Sequence, residues 1–209
     1  MKCIVFDFDG TVANPFESVI DSLNHVSKKY PFEITVHQSL LMKTVSQPFI
    51  QTIQQLWPKS GTTQAEDLKK YYLEHQLAMG YLKYTIYEGL TSLLEDAELN
   101  KADLVILSNK MEISLKKVIN HLELKKFKQI IGKTDEQLKK TYWLNQLKLK
   151  YGNSNVVMIG DSKEDQQACA ETNIPFIAVN WGVDRFDKSF AAENAIELLQ
   201  KIKIFLRND

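Results

Sequence analysis

Two aspartates separated by one residue, Asp7-Phe8-Asp9, follow the apolar run Ile4-Val5-Phe6 near the start of the chain, with Gly10-Thr11 directly after them. Folding alone gives no reason for a buried strand to end by delivering two carboxylates to solvent. Side chains at i and i+2 of a strand face the same side, so Asp7 and Asp9 are expected to converge. Their like charges then repel unless a cation or a proton intervenes. The pattern asks for a divalent metal, a shared proton, or both. Gly10 permits a tight turn away from the strand, and Thr11 adds a hydroxyl beyond it.

Three further polar clusters follow apolar runs or open helices. Ser108-Asn109-Lys110 comes after the run at 104–107, and Gly160-Asp161-Ser162-Lys163-Glu164-Asp165 after the run at 156–159. Lys139-Lys140-Thr141 opens a helix whose apolar face includes Leu144, Leu147 and Tyr151. Carboxylates, a hydroxyl and a lysine meeting at one sheet edge suit phosphoryl chemistry. Magnesium prefers oxygen ligands and keeps several waters, so a few carboxylates and a substrate phosphate can complete its shell. A carboxylate nucleophile splits hydrolysis into two easier steps through an aspartyl-phosphate. The Ser108 hydroxyl and a lysine ammonium would neutralise charge spreading onto the non-bridging oxygens.

The elements that must position these residues fall into two patterns. Phe16, Val19, Ile20, Leu23, Val26 and Tyr30 recur at a helical period until Pro31, which predicts a helix over 16–30. Further helices are expected over 37–44, 48–57 and 64–82, the last opening with Thr63-x-x-Glu66 as a capping box. Residues 13–83 therefore read as an all-helical insert. The remainder, 1–12 and 84–209, reads as an α/β domain. Its five short runs, 4–6, 104–107, 127–131, 156–159 and 176–179, are near-continuously apolar, as strands covered on both faces should be. They imply a Rossmann-like parallel sheet with right-handed crossovers, and a final helix over 194–206. Ligands of such sheets bind beyond the carboxyl ends of the strands, where all four polar clusters are expected.

In this order the motifs resemble those of the haloacid dehalogenase-like (HAD) superfamily, in particular its phosphoglycolate-phosphatase-like branch with a helical C1-type cap. Asp7 to Thr11 is similar to the first motif, Leu107-Ser108-Asn109-Lys110 to the second, Lys139/Lys140 to the third, and Gly160 to Asp165 to the fourth. The helical insert falls where such a cap is placed. The resemblance implies a magnesium-dependent phosphatase with Asp7 as nucleophile and metal ligand. Asp9 would be the acid/base, with its backbone carbonyl on the metal, and Asp161 the remaining carboxylate ligand. Asp165 would lie behind the metal or on the lysine, and Thr11, Ser108, Asn109 and Lys110 would bind the phosphoryl group. Asp9 favours phosphate esters over dehalogenation, because a phosphatase must protonate an alkoxide. Three departures leave the substrate open. Thr141 stands where proline commonly follows the lysine, with Lys140 favoured over Lys139 as the inward residue. Asn14-Pro15 replaces a small Asp-Ser pair, and Ser46-Gln47-Pro48 replaces a glycine of the cap.

Composition narrows the alternatives. Twenty-six Lys+Arg balance twenty-six Asp+Glu, so no basic surplus drives nucleic-acid binding. Arg185 and Arg207 are the only arginines, so anions met earlier in the chain must be held by lysine, backbone N–H, hydroxyl or metal rather than an Arg fork, and the positive candidates of the insert for an anionic substrate tail are lysines, including Lys28, Lys29, Lys43 and Lys83. Cys3 and Cys169 sit in apolar patterns and imply no disulfide framework. The absence of a signal core or a bilayer-length apolar run makes the cytoplasm the expected location, without membrane partners. A small phosphorylated molecule is the expected substrate, with a monomer or homodimer as the assembly. Two other functions use the same residues: a phosphoryl transferase of the sugar-phosphate mutase type, and a phospho-acceptor regulatory module.

Simpler roles compete for individual residues. Ser162-x-x-Asp165 can cap a helix, and Asn109 can cap the next one. Lys110 can lie on a solvated face. Trp57, Tyr71, Tyr72 and Met79 suit packing within the insert, Trp181-Gly182 suits either packing or the site rim, and His25, His37, His75 and His121 suit surface or packing positions.

Overall fold

The structure, a computed structural model, describes residues 1–28, 36, 49–96, 98–134 and 138–207. The expected helix over 37–44, Lys29, Lys43 and Ser46-Gln47-Pro48 lie outside the described residues. The chain divides into two compact units, Pro15–Tyr84 and the remainder, Met1–Asn14 with Thr85–Asp209.

The larger unit is built on a five-stranded parallel sheet of β1 (Cys3–Phe6), β4 (Asp103–Met111), β5 (Gln129–Lys133), β6 (Val156–Gly160) and β7 (Phe176–Ala178), in the order β5-β4-β1-β6-β7. Phe6 aligns with Ile106 on one side and Ile159 on the other, so the ends of β4 and β6 flank the end of β1. Strand order reverses at β1, which makes its carboxyl end the topological switch point where ligands bind in open α/β sheets. Alternate residues explain the two-sided burial. Cys3, Val5, Val105, Leu107, Val156 and Met158 face one core cluster with Leu144 and Leu147 of α6 (Lys140–Tyr151) and Cys169 of α7 (Lys163–Thr172). Their neighbours Ile4, Phe6, Ile106, Val157 and Ile159 are equally buried, so both faces are covered, as near-continuous apolar runs require. The other helices of this unit are α4 (Leu90–Leu94), α5 (Glu112–His121) and α8 (Ala195–Arg207).

Three features differ from the sequence-based expectation. β4 runs on through Ser108, Asn109 and Lys110. Its register with β5 shifts between Leu107 and Met111, a bulge of the kind that re-aims side chains at a sheet rim. β5 begins two residues later than expected, and Phe127 packs edge-on against Phe6 at 5.7 Å instead. A second, antiparallel ribbon joins β2 (Ala13–Asn14) to β3 (Thr85–Ile86). Two-residue strands carry no readable period. The ribbon's strands are the chain's departure into residues 15–84 and its return.

The smaller unit contains α1 (Phe16–Ser27), α2 (Phe49–Leu56), α3 (Thr62–Ala78) and a 3-10 turn at Gly80–Lys83. Leu23, Val26, Ile53, Trp57 and Leu68 form its core, with Tyr72 buried and Tyr71 packed against it. Met79 is exposed, because the helix ends at Ala78 and the 3-10 turn breaks the helical register. The Thr63/Glu66 capping box does not form. Gly61 is the N-cap, Thr63 lies inside the helix, and Glu66 faces Lys69 at 3.6 Å. α1 and α3 are joined by a buried polar network: Gln76 donates to the Ser18 carbonyl at 2.9 Å and to Ser22 Oγ at 2.8 Å, and accepts from Ser18 Oγ at 3.1 Å. His75 Nδ1 adds a 2.8 Å bond to Ser22 Oγ, and its ring stacks on His25 at 4.1 Å. Gln76→Leu keeps the volume but strands these partners, and is expected to destabilise the protein by about 1–3 kcal/mol, measured by urea unfolding.

Candidate active site

β1 ends at Phe6, and Asp7 is held just past it by its N–H, which donates to the Ile159 carbonyl of β6 at 2.9 Å. The chain then turns tightly, the Phe8 carbonyl accepting from the N–H groups of Val12 and Ala13, both at 3.0 Å. Gly10 is the residue this turn cannot replace. Its φ is +88°, and a Cβ there would lie 2.2 Å from Asp161 Oδ2. Because the strand stops before Asp7, the i, i+2 alternation does not govern the pair, and Asp7 and Asp9 enter different surroundings.

Asp7 joins Asp161 and Asp165 in a buried group in which one carboxylate oxygen from each residue lies within 4.8 Å of the other two. Lys140, the first residue of α6, enters this group. Its Nζ donates to Asp7 Oδ1 at 2.6 Å and Asp165 Oδ1 at 2.5 Å. Lys139 occupies the N-cap position and is exposed, so the inward lysine is Lys140. Although burial alone would lower the Lys140 pKa, Asp7 and Asp165 more than reverse this and keep it charged. Burial pushes the Asp7 carboxyl well above its usual range against the pull of Lys140, with Asp165 and Asp161 adding to the rise.

Asp161 is fixed through both oxygens: Thr11 Oγ1 donates to Oδ1 at 2.9 Å and the Val183 N–H to Oδ2 at 2.8 Å. Close approach of the 181–183 loop depends on Gly182, where a Cβ would fall 2.1 Å from Asp161 Oδ2. Burial pushes the Asp161 pKa up to about 6. Asp165 is fully buried and serves two purposes. Its N–H donates to Ser162 Oγ at 3.1 Å, capping α7, while its carboxylate accepts from Ser162 Oγ at 2.6 Å and from Lys140.

The remaining expected residues divide. Asp9 lies outside the buried carboxylate group; Lys110 Nζ donates to its Oδ2 at 3.1 Å. Ser108 is buried at the bulge and accepts from the Lys110 N–H at 3.2 Å. The Thr11 hydroxyl donates to Asp161 Oδ1 at 2.9 Å. Asn109 turns outward to Glu164 at 3.0 Å and does not cap α5, whose N-cap is Met111 without a side-chain bond. Sequence reasoning missed the Val183 N–H and the tether from Trp181 Nε1 to the Thr11 carbonyl at 3.0 Å. The available signal was Trp181-Gly182 just past β7, a glycine at a site rim where only backbone can approach.

The haloacid dehalogenase-like hydrolase profile matches residues 4–179; the chain belongs to that family. Among solved structures it is similar to a haloacid dehalogenase-like family hydrolase from Streptococcus pneumoniae, with a TM-score of 0.83 and 20% identity over 97% of this chain and 98% of the other. A candidate phosphoglycolate phosphatase from Lactobacillus delbrueckii subsp. bulgaricus gives 0.82 and 17% over 97% and 99%. The curated relative tyrosine-protein kinase PtkA of Mycobacterium tuberculosis is 22% identical over 195 residues, 89% of this chain; the match spans 64% of the relative's length. At these identities the structural likenesses establish the fold. No helix among the described residues is long and apolar enough to cross a membrane.

The raised Asp161 pKa gives a signed pH dependence. An unfolded aspartate titrates near 3.9, so between about pH 4 and the folded value of about 6 the folded chain holds a proton that the unfolded chain has lost. Stability from this group therefore rises as pH falls through that window. In chelator-treated protein, lowering the pH from 7 to 4 should stabilise wild type relative to Asp161→Asn by about 2 kcal/mol, read from urea unfolding of both at each pH. Equal slopes would contradict the assignment.

Proposed function

We propose that the protein is a magnesium-dependent phosphoric monoester hydrolase acting on a small phosphorylated metabolite through an aspartyl-phosphate. The observation that carries this reading is the composition of the buried group: three acidic side chains face one ammonium, and burial with mutual repulsion pushes the Asp7 and Asp161 carboxyls up, an imbalance that a bound cation would relieve. A divalent cation with a preference for oxygen fits that donor set. Asp7 and Asp161 with the Asp9 main-chain carbonyl would hold magnesium, and Asp165 would anchor Lys140 behind them. When bound, the ion supplies the positive charge that lets a phosphate dianion approach the Asp7 carboxylate.

The chain's own residues then divide the chemistry. Asp7 attacks phosphorus, and the bond to the ester oxygen breaks with its electron pair passing to that oxygen. Asp9, outside the buried group, protonates the departing oxygen. It then takes a proton from the water that attacks the aspartyl-phosphate, which releases inorganic phosphate and restores the Asp7 carboxylate. Lys140 and the Ser108 hydroxyl offset charge on the non-bridging oxygens, and Lys110 swings from Asp9 to the phosphoryl group. Asn109 joins them on leaving Glu164. The unit Pro15–Tyr84 acts as the cap that excludes water and chooses the leaving group. Buried thiols at Cys3 and Cys169 are in keeping with a reducing, cytoplasmic setting.

A second reading is phosphoryl transfer to an acceptor other than water, favoured by the kinase name of the curated relative. One experiment separates the two. Purified protein is expected to hydrolyse p-nitrophenyl phosphate with magnesium and lose this activity in chelator. Asp7→Asn should fall to background, and Asp9→Asn should lose roughly 10²–10⁴-fold. Undiminished turnover by Asp7→Asn would refute the covalent route, and label passing to an acceptor without release of phosphate would favour transfer.

A further inference from the structure

Two polar atoms of the α/β unit, Asp9 Oδ1 and the Tyr87 hydroxyl, are buried without a hydrogen-bond partner among the described residues. Such groups are uncommon in folded proteins and call for a specific explanation. Both belong to the same small piece of structure. Tyr87 follows β3, and its N–H donates to the Val12 carbonyl at 3.2 Å, which ties it to the turn that carries Asp9. Its ring lies beside that of Trp181, with centroids 6.2 Å apart at 50°, and Trp181 is itself fastened to the Thr11 carbonyl.

The phenol is also within electrostatic reach of the Asp9 and Asp161 carboxylates and of Arg185. Burial, followed by Asp161 and Asp9, holds its pKa above the usual tyrosine value, so at neutral pH it is a hydrogen-bond donor with its proton in place. A tyrosine needed only for packing could place its oxygen in water or on a carbonyl. Here the oxygen is buried, without a hydrogen-bond partner among the described residues and within electrostatic reach of the Asp161 and Asp9 carboxylates.

We propose that Tyr87 is a catalytic residue that donates a hydrogen bond to the ester oxygen of the leaving alcohol, next to Asp9. The inference rests on the hydrolase reading. As Asp7 attacks, the electron pair of the breaking P–O bond passes to the ester oxygen, and the proton that completes the alcohol comes from Asp9. Tyr87 keeps its own proton and stabilises the charge while it develops. Because the bond strengthens with that charge, its contribution grows with the basicity of the leaving group. The substrate class it fits is phosphate esters of poor leaving groups, alkyl rather than activated aryl.

The test compares wild type with Tyr87→Phe on p-nitrophenyl phosphate, phenyl phosphate and an alkyl phosphate, reading kcat/KM, together with thermal melting. Tyr87→Phe should lose roughly 10- to 100-fold on the alkyl ester, less on phenyl phosphate, and less than about threefold on p-nitrophenyl phosphate. Its melting temperature should equal or exceed that of wild type, because an unpaired hydroxyl has been removed. Equal losses on all three esters, no loss on any, or a lowered melting temperature would overturn the proposal while leaving the hydrolase reading intact. Failure of wild type to hydrolyse any of the esters with magnesium would overturn both.

Discussion

The ammonium of Lys140, shared between Asp7 and Asp165 inside the protein, constrains everything built around it. A lysine buried this deeply keeps its charge only where carboxylates surround it, and carboxylates buried this deeply keep theirs only where cations do. Removing either side would leave an uncompensated charge in a place that cannot hydrate it. The sheet meets this requirement by ending β1 and β6 side by side, so that Asp7 and Asp161 leave adjacent strands. The helix after β5 then starts with a lysine aimed back at them. The compensation is incomplete: one ammonium faces three acidic groups, and burial with mutual repulsion pushes the Asp7 and Asp161 carboxyls up.

Asp161 is held in place by one side-chain donor and one backbone donor. Thr11 and the Val183 N–H each claim one of its oxygens, and both arrive on segments that approach too closely to carry a Cβ at Gly10 or Gly182. Each carboxylate oxygen has two lone pairs, so one bond to each oxygen orients the group without exhausting it. Asp165 is fixed differently, through the first turn of α7. There a carboxylate is favoured by the helix N-terminus, and the capping bond and the Lys140 bond come from the same residue.

Much of this was legible in the sequence, for a physical reason. Strands buried on both faces leave unbroken apolar runs, and polar residues immediately after such runs must emerge at the carboxyl edge. Asp7, Asp161 and Asp165 therefore could be grouped before any coordinates, and Lys140, which opens a helix, joined them through the order of the motifs. What was not legible depends on distances between segments far apart in the chain. The bond from the Thr11 hydroxyl to Asp161 joins residues 150 positions apart and leaves no local signal. Asn109 faces Glu164 because the bulge in β4 rotates it outward, and a bulge has no periodic signature. The expected capping box failed because Gly61 began α3 before Thr63 could serve. The ribbon of Ala13–Asn14 with Thr85–Ile86 was invisible because four residues separated by seventy others form no local pattern.

The separation of Asp7 from Asp9 shows how a chain gives identical groups unlike properties. Had β1 continued for three more residues, alternation would have put both carboxylates in one pocket, each suppressing the ionisation of the other. Ending the strand at Phe6 and turning through Gly10 sends Asp7 into the buried group with Lys140. Asp9 emerges beside Lys110 and within electrostatic reach of Tyr87, where one oxygen is paired and the other has no hydrogen-bond partner among the described residues. In a covalent phosphatase the nucleophile must be a carboxylate held in a fixed electrostatic frame, whereas the acid/base must exchange protons with the leaving oxygen and then with water. A group locked between an ammonium and two other carboxylates cannot do the second task, and a group on a partly exposed turn is poorly placed for the first. The tight turn at Gly10 is thus what places two carboxylates of one short motif in unlike surroundings.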